Sequence, residues 1–279
     1  MKTVSFADGA KVPALGQGTW RMGESKSAHK EEVEAVRLGI ELGMTLIDTA
    51  EMYGDGGAEE VVGEAIAGRR DRVFVVTKVY PYNASRTKMP EACERSLKRL
   101  RIDVIDLYLI HWRLKSSPLA ETVEAFEKLR FAGKIKRWGV SNFDAGDMKE
   151  LFAIAKGPNC AANQVLYNLE HRGIEVDLVP WCRKNNVPIM AYSPLGHGHG
   201  FLTDPTLAKV AQRHNVTAAQ VALAWLFRQP NTIVIPKASN LTHVRDNARS
   251  IDVELTKADL GDLERRFPAP RSKQPLAMI

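Results

Sequence analysis

Eight short apolar runs recur along the chain with starts about 30 residues apart, the length of one strand-plus-helix unit, except that the last interval is longer and holds an extra helical segment. They are Leu15–Thr19, Thr45–Ala50, Val73–Val79, Ile105–Trp112, Ile135–Asn142, Ala162–Asn168, Val187–Pro194 and Thr232–Pro236. Most are near-continuous rather than alternating, as in parallel strands covered on both sides. Amphipathic stretches with readable ends lie between them. Glu31–Leu42 follows Ser27 and stops before Gly43; Glu59–Ala67 stops before Gly68; Thr122–Phe131 stops before Gly133. Asp144 caps Met148–Ala155, Thr217 and Gln220 form a capping box for a helix through Arg228, and Thr256 opens a last helix. Eight strands alternating with helices, without a break, predict an α/β fold: a closed (β/α)8 TIM barrel in one domain, residues 1–279. The rival, a doubly wound sheet, needs a GxGxxG after an early strand, and the chain has none. Val4–Phe6 and Lys11–Ala14 flank Asp8-Gly9, the signal of an N-terminal β-hairpin cap over the barrel's lower end.

Composition excludes several function classes. No apolar stretch approaches the length of a membrane span, and the N-terminus lacks the apolar run of a secretory signal. Cys93, Cys160 and Cys182 are odd in number and far apart, which argues against a disulfide framework or a zinc site and points to the cytoplasm. The net charge of +6 is spread among acidic residues without a basic run, so no nucleic acid is expected as a partner. No interface signal stands out, and a monomer is expected. Gly196-His-Gly-His-Gly200 offers only two histidines and is read as a flexible loop, not a metal site.

Catalytic groups of β/α barrels sit where strands end. The polar residues at those ends are Asp48-Thr49, with Tyr53 just beyond, then Thr77-Lys78, His111-Trp112, Ser141-Asn142, Asn163-Gln164, Tyr192-Ser193-Pro194 and Pro236-Lys237. A charge inside an apolar run is costly unless paired. Each residue alone could be a satisfied structural group; Asp, Tyr, Lys and His on three adjacent strand ends make a common purpose the better reading.

Asp48-Thr-Ala-Glu-Met-Tyr53-Gly54, Lys78 and Leu109-Ile-His111-Trp112 resemble the tetrad of the aldo-keto reductase family, in a short-loop prokaryotic form. Gly139-Val-Ser-Asn142-Phe143, Asn163-Gln164, Tyr192-Ser-Pro-Leu-Gly196 and Ile235-Pro-Lys237 resemble its further signatures, in its order and over nearly the whole chain. The resemblance implies reduction of small aldehydes, ketones or 2-oxoaldehydes such as methylglyoxal, with Tyr53 as general acid and Asp48, Lys78 and His111 tuning and positioning it. The electrostatics agree: a free tyrosine, with a pKa of about 10, is a poor acid, and a neighbouring ammonium favours its ionised form.

The resemblance also implies a cofactor site. Ser141, Asn142 and Gln164 would hold the nicotinamide amide, Tyr192 would stack on its ring, and Ser193, Pro194, Leu195 and Gly196 would face the pyrophosphate. Gly18, Thr19, Trp20, Asp48, Ile235, Pro236, Lys237, Ala238, Ser239, His243 and Asn247 complete the set. Lys237 favours NADPH. His243 stands where the family often has arginine, the better phosphate fork, so NADH is a possible alternative. Trp20, Met52 and Trp112 join Tyr53 and His111 as walls of the substrate pocket. Short loops after the fourth and seventh strands predict an open pocket, and the tail Phe267–Ile279 is expected to fold across its mouth. Two other readings compete: a barrel that binds cofactor only to sense or associate, and a Schiff-base aldolase using Lys78, which would need that lysine unpaired.

Overall fold

In the computed structural model, residues 2–196 and 200–279 are described. The chain opens with a hairpin, β1 (Thr3–Ser5) and β2 (Lys11–Pro13), paired antiparallel with Val4 opposite Val12. Gly9 supplies the left-handed residue of its turn at φ 86°. The barrel strands follow: β3 (Gln17–Gly18), β4 (Leu46–Asp48), β5 (Phe74–Val79), β6 (Leu107–Ile110), β7 (Trp138–Ser141), β8 (Asn163–Leu166), β9 (Ile189–Tyr192) and β10 (Thr232–Val234). They pair in parallel in chain order. Parallel bridges Leu15↔Val234 and Gly18↔Lys237 join first strand to last and close the sheet. Every barrel strand falls within an expected run and is shorter than it; β1 of the hairpin begins one residue earlier than expected.

Ten helices are described: α1 (His29–Glu41), α2 (Gly57–Ala65), α3 (Lys88–Leu100), α4 (Leu119–Phe131), α5 (Ala145–Ala153), α6 (Leu178–Lys184), α7 (Pro205–His214), α8 (Ala218–Leu226), α9 (Leu241–Arg249) and α10 (Lys257–Arg266). Capping boxes open α5 (Asp144, Asp147), α8 (Thr217, Gln220) and α10 (Thr256, Asp259). Ser27 does not cap α1: the helix starts after Ala28, and the Ser27 hydroxyl faces that of Ser25, 2.8 Å away. Gly43, at φ 90°, takes the left-handed turn that ends the helix.

Strand parity sorts the core. Ile47, Val75, Val79, Tyr108, Ile110, Val140, Val165, Ile189, Ala191 and Val234 face outward into the helix layer. Leu46, Val76, Leu107, Leu109, Ala162, Met190, Ile233 and Ile235 face inward, and Val4, Phe6, Val12 and Ala14 of the hairpin segment close over them from below. Phe6 stacks on Phe74 with ring centres 5.4 Å apart. The barrel is thus a packed column, not a pore, with its lower end sealed.

Candidate active site

The inward rows do not stay apolar. Two residues beyond the inward Leu46, Val76, Leu109, Gly139, Ala162, Met190 and Ile235 come Asp48, Lys78, His111, Ser141, Gln164, Tyr192 and Lys237. Gly18 takes the corresponding place on the first strand, where a Cβ would meet the Ile235 carbonyl oxygen at 3.1 Å. The uppermost inward layer is therefore a ring of polar side chains above an apolar column. All but the fully buried Lys78 line a cavity of about 340 Å³ together with Thr19, Trp20, Met52, Tyr53, Trp112, Asn142, the Ser193–Gly196 loop and Pro236.

Lys78 is the hub. Fully buried, its ammonium donates to Asp48 Oδ2 at 2.8 Å, to the Thr49 carbonyl at 2.8 Å and to Tyr53 Oη at 3.3 Å. Three protons meet three acceptors, the arrangement that makes a buried ammonium tolerable. Burial opposes its charge, but Asp48 and Tyr53 outweigh burial and leave its pKa above the ordinary lysine value. Asp48 keeps its second oxygen, Oδ1, on Gln164 Nε2 at 2.7 Å. Burial still pushes the Asp48 pKa up, against the pull of Lys78 and Gln164.

Tyr53 does not lie on an inward row. It heads a tight turn, Tyr53–Gly56, in which Gly54, Asp55 and Gly56 all have positive φ. A Cβ on Gly54 would stand 2.8 Å from the Met22 carbonyl oxygen, so only glycine lets this turn tuck under the preceding loop. The turn swings the phenol over Lys78. The ammonium draws the Tyr53 pKa down as sequence reasoning expects, but burial is the larger effect and the net shift is upward. Tyr53 therefore keeps its proton at neutral pH.

His111 meets Tyr53 edge-on at 5.5 Å and borders Trp112. Burial, helped by the Lys78 charge, lowers its pKa to about 2, so its ring is neutral. Its Nδ1 is buried without a hydrogen-bond partner among the described residues. Asn142, at φ 59°, spends its amide on the protein: Nδ2 donates to the His111 carbonyl and to Ser141 Oγ, and Oδ1 accepts from Tyr192 Oη at 2.9 Å. It braces β6, β7 and β9 at their upper ends. Tyr192 is pushed up to about 12, mainly by burial, which keeps it a donor.

The structure gathers most of the expected residues and leaves a few aside. Ala238, Ser239, His243 and Asn247 do not line the cavity. Lys237 does, and its ammonium lies 3.1 Å from Ser239 Oγ at the exposed rim. His243 is exposed on α9, where its backbone N–H is capped by Asn240. Only Met278 and Ile279 of the tail enter the cavity wall; Pro268–Ala277 borders a separate groove beside Arg172. His197 and His199 lie outside the described residues, and no metal-sized cluster of His, Cys, Asp or Glu occurs among the described ones. Sequence reasoning missed the Thr49 carbonyl as a Lys78 partner, since a backbone oxygen has no residue signature.

The chain resembles known proteins along nearly its whole length. A methylglyoxal reductase, YeaE, of Escherichia coli (strain K12) is 52% identical over 282 residues, covering 100% of this chain and 99% of that protein. A glyoxal reductase of Bacillus subtilis (strain 168) is 33% identical, with 94% and 91% covered. A crystal structure of an aldo/keto reductase from Klebsiella pneumoniae, in complex with NADP and acetate, superposes with a TM-score of 0.97 at 51% identity, covering 100% of this chain and 99% of that one. The sequence description of the Aldo/keto reductase family matches residues 14–266, and this chain belongs to that family.

Proposed function

We propose that the chain is an NADPH-dependent reductase of small aldehydes and ketones, 2-oxoaldehydes such as methylglyoxal among them, and that Tyr53 is its proton donor. One observation carries the reading: a buried, triply bonded Lys78 ammonium set directly against a protonated tyrosine at the wall of the cavity. The named activity of the 52%-identical relative and the NADP held by the Klebsiella protein support the substrate and cofactor.

The cavity's unspent polar atoms fit a nicotinamide amide. Ser141 Oγ accepts from Asn142 and keeps its own proton to give. Gln164 has its N–H engaged by Asp48, and among the described residues nothing donates to its Oε1. One donor and one acceptor therefore remain, the complement of a carboxamide. Tyr192 offers an aromatic face, Gly196 (φ 77°) and Ser193 (φ 46°) bend the loop beside it, and Lys237 brings a cation to the rim.

When bound, the reduced nicotinamide supplies a hydride to the carbonyl carbon. Tyr53 gives its phenolic proton to the carbonyl oxygen, closing the balance from carbonyl to alcohol. The phenolate left behind lies against Lys78, which stabilises it and draws on Asp48 to stay charged. Neutral His111 orients the carbonyl by hydrogen bonding; with its depressed pKa it is no reservoir of protons. Trp20, Met52 and Trp112 enclose the rest of the substrate with apolar surface. The reverse reaction, alcohol oxidation, uses Tyr53 as base.

The Schiff-base alternative needs a neutral, unencumbered amine. Lys78 has every proton engaged and a raised pKa, so borohydride should trap no adduct there. The same reading takes residues 1–279 as one domain working as a cytoplasmic monomer. All three cysteines are free and buried, which suits a reducing compartment, and no described helix is long and apolar enough to cross a membrane. Gel filtration tests the monomer.

The test is to follow the reduced-nicotinamide absorbance with methylglyoxal, using NADPH and NADH, in wild type and Tyr53→Phe. Oxidation of NADPH that drops about 10²- to 10⁴-fold in Tyr53→Phe is expected, the usual contribution of general acid catalysis. No turnover with a panel of carbonyls, despite NADPH binding, would reject the reductase in favour of the sensing barrel.

A further inference from the structure

Gln164 stands at the end of β8 on the inward row, with 1% of its surface exposed. Its backbone is fixed on both sides: it pairs in register with Ser141 of β7 and Met190 of β9, and its carbonyl accepts from Asn142 N at 2.8 Å. Its side chain has little choice either. A carboxylate oxygen can only accept, so the 2.7 Å contact with Asp48 Oδ1 must use the N–H end of the amide. The carbonyl end is then turned to the remaining side, the cavity it lines.

Asp48 has two oxygens and a proton-donating partner on each: Lys78 on Oδ2 and Gln164 on Oδ1. At 3% exposure, Asp48 has little surface left beyond these two partners. The carboxylate plane is thus defined by two points, one on each side of the barrel interior. Lys78 is aimed at Tyr53 through that carboxylate.

We propose that Gln164, beyond the nicotinamide contact already read for its carbonyl oxygen, is a positioning residue of the Tyr53 acid: its amide N–H holds Asp48 ionised and aimed at Lys78. The proposal rests on the reading of Tyr53 as proton donor. It makes one side chain the mechanical link between an occupied cofactor site and the acid. A nicotinamide amide drawing on Oε1 polarises the Gln164 amide and strengthens its N–H toward Asp48.

The sign of the effect follows from the groups around Tyr53. Lys78 and Asp48 approach it from β5 and β4, His111 from the end of β6 and Tyr192 from β9. His111 is neutral and Tyr192 protonated at working pH, so Lys78 and Asp48 decide. Without Gln164, either Asp48 holds the Lys78 protons more tightly or it takes one of them. Both outcomes leave less of the ammonium for the Tyr53 phenolate, and both make Tyr53 harder to ionise.

Gln164→Met keeps the length and removes both polar ends. In cofactor-free protein, the carbon-13 carboxyl resonance of Asp48, identified by its loss in Asp48→Asn, should titrate about one pH unit higher than in wild type, the scale of one charge-assisted hydrogen bond. In the working enzyme, the alkaline rise of alcohol oxidation should move up by about the same unit, and NADPH should bind about tenfold more weakly, since one hydrogen bond is lost. Gln164→Glu keeps the shape and can donate to Asp48 only while protonated; it should shift Asp48 upward at least as far, and it serves if the methionine variant does not fold. An Asp48 titration that stays at its wild-type position in the folded variant overturns the positioning role. NADPH affinity equal to wild type overturns the cofactor contact. Tyr53→Phe is run alongside: if it keeps wild-type reduction, the acid assignment fails, while the Asp48 titration still judges the Gln164 link on its own.

Discussion

Replacing Lys78 with methionine removes the charge that the whole polar ring is built around. Methionine fills much of the same volume, so the change isolates electrostatics from packing. Asp48 keeps Gln164 on Oδ1 but loses its only counter-charge among the described residues, at 3% exposure. Breaking a buried pair on one side costs about 3–5 kcal/mol when the orphan must remain charged. Asp48 has an escape: it can take a proton. From its ordinary value of 3.8, protonation at pH 7 costs about 4 kcal/mol, and at pH 5 only about 1–2 kcal/mol, at 1.36 kcal/mol per unit. The folded-state pKa in the variant lies above the unfolded one. The penalty is therefore absent below pH 3.8, grows as pH rises through it, and levels off above the folded pKa. Urea unfolding of wild type and Lys78→Met at pH 5, 6, 7 and 8 measures the gap, which should reach its largest value, up to about 4 kcal/mol, at or above pH 7. A gap that is constant, or that widens as pH falls, would refute the picture of an orphaned carboxylate.

Other outcomes follow from the same geometry. The raised Tyr53 pKa predicts that reduction, which needs the phenol, holds its rate through pH 8 to 9 and falls only above the ordinary tyrosine value of about 10, while alcohol oxidation, which needs the phenolate, rises with pH over the same range; coincident optima for the two directions would contradict it. Lys237→Met should weaken NADPH binding about tenfold and leave NADH nearly unchanged, because only NADPH brings a 2′-phosphate to the rim; fluorescence titration of the two cofactors decides. Arg172→Ala removes a bidentate pair to Glu175, a pair to Glu264 and a hydrogen bond to the Phe267 carbonyl that together moor the tail. It should lose about 2–3 kcal/mol of stability and raise KM more than it changes kcat, measured by urea unfolding and methylglyoxal kinetics.

The barrel was legible because its strands are apolar on both faces and its helices on one, so two periods alternate along the chain. What escaped sequence reading had weaker local signals. The helix Lys88–Leu100 buries Met89, Ala92, Cys93, Ser96, Leu97 and Leu100 at helical spacing, yet a proline in its first turn and six charged residues obscure the stripe. Ser27 has the chemistry of a helix cap but stands one residue too early. Helices α7 and α9 begin at Asp204 and Asn240, each accepting two backbone N–H groups, but neither has the glutamate or glutamine three residues on that would complete a capping box. The place of Met278 and Ile279 depends on a mooring at Arg172, more than a hundred residues earlier in the chain, which no local pattern encodes.

Parity explains why seven of the strand-end residues could be found and why Tyr53 could not be found that way. Asp48, Lys78, His111, Ser141, Gln164, Tyr192 and Lys237 each continue an inward row by two residues, so the strand that places them also aims them. Their helices need do nothing but cover the outside. Tyr53 instead depends on three successive left-handed residues in the turn after β4. That turn is where a substitution can move the acid without touching the ring of groups that tune it. A side chain at Gly54 meets the Met22 carbonyl and must push the turn outward, whereas Lys78, held from β4 by Asp48 and Thr49, stays where it is. The site thus divides into a rigid electrostatic floor, set by strand register, and a proton donor hung over it on a glycine-dependent turn.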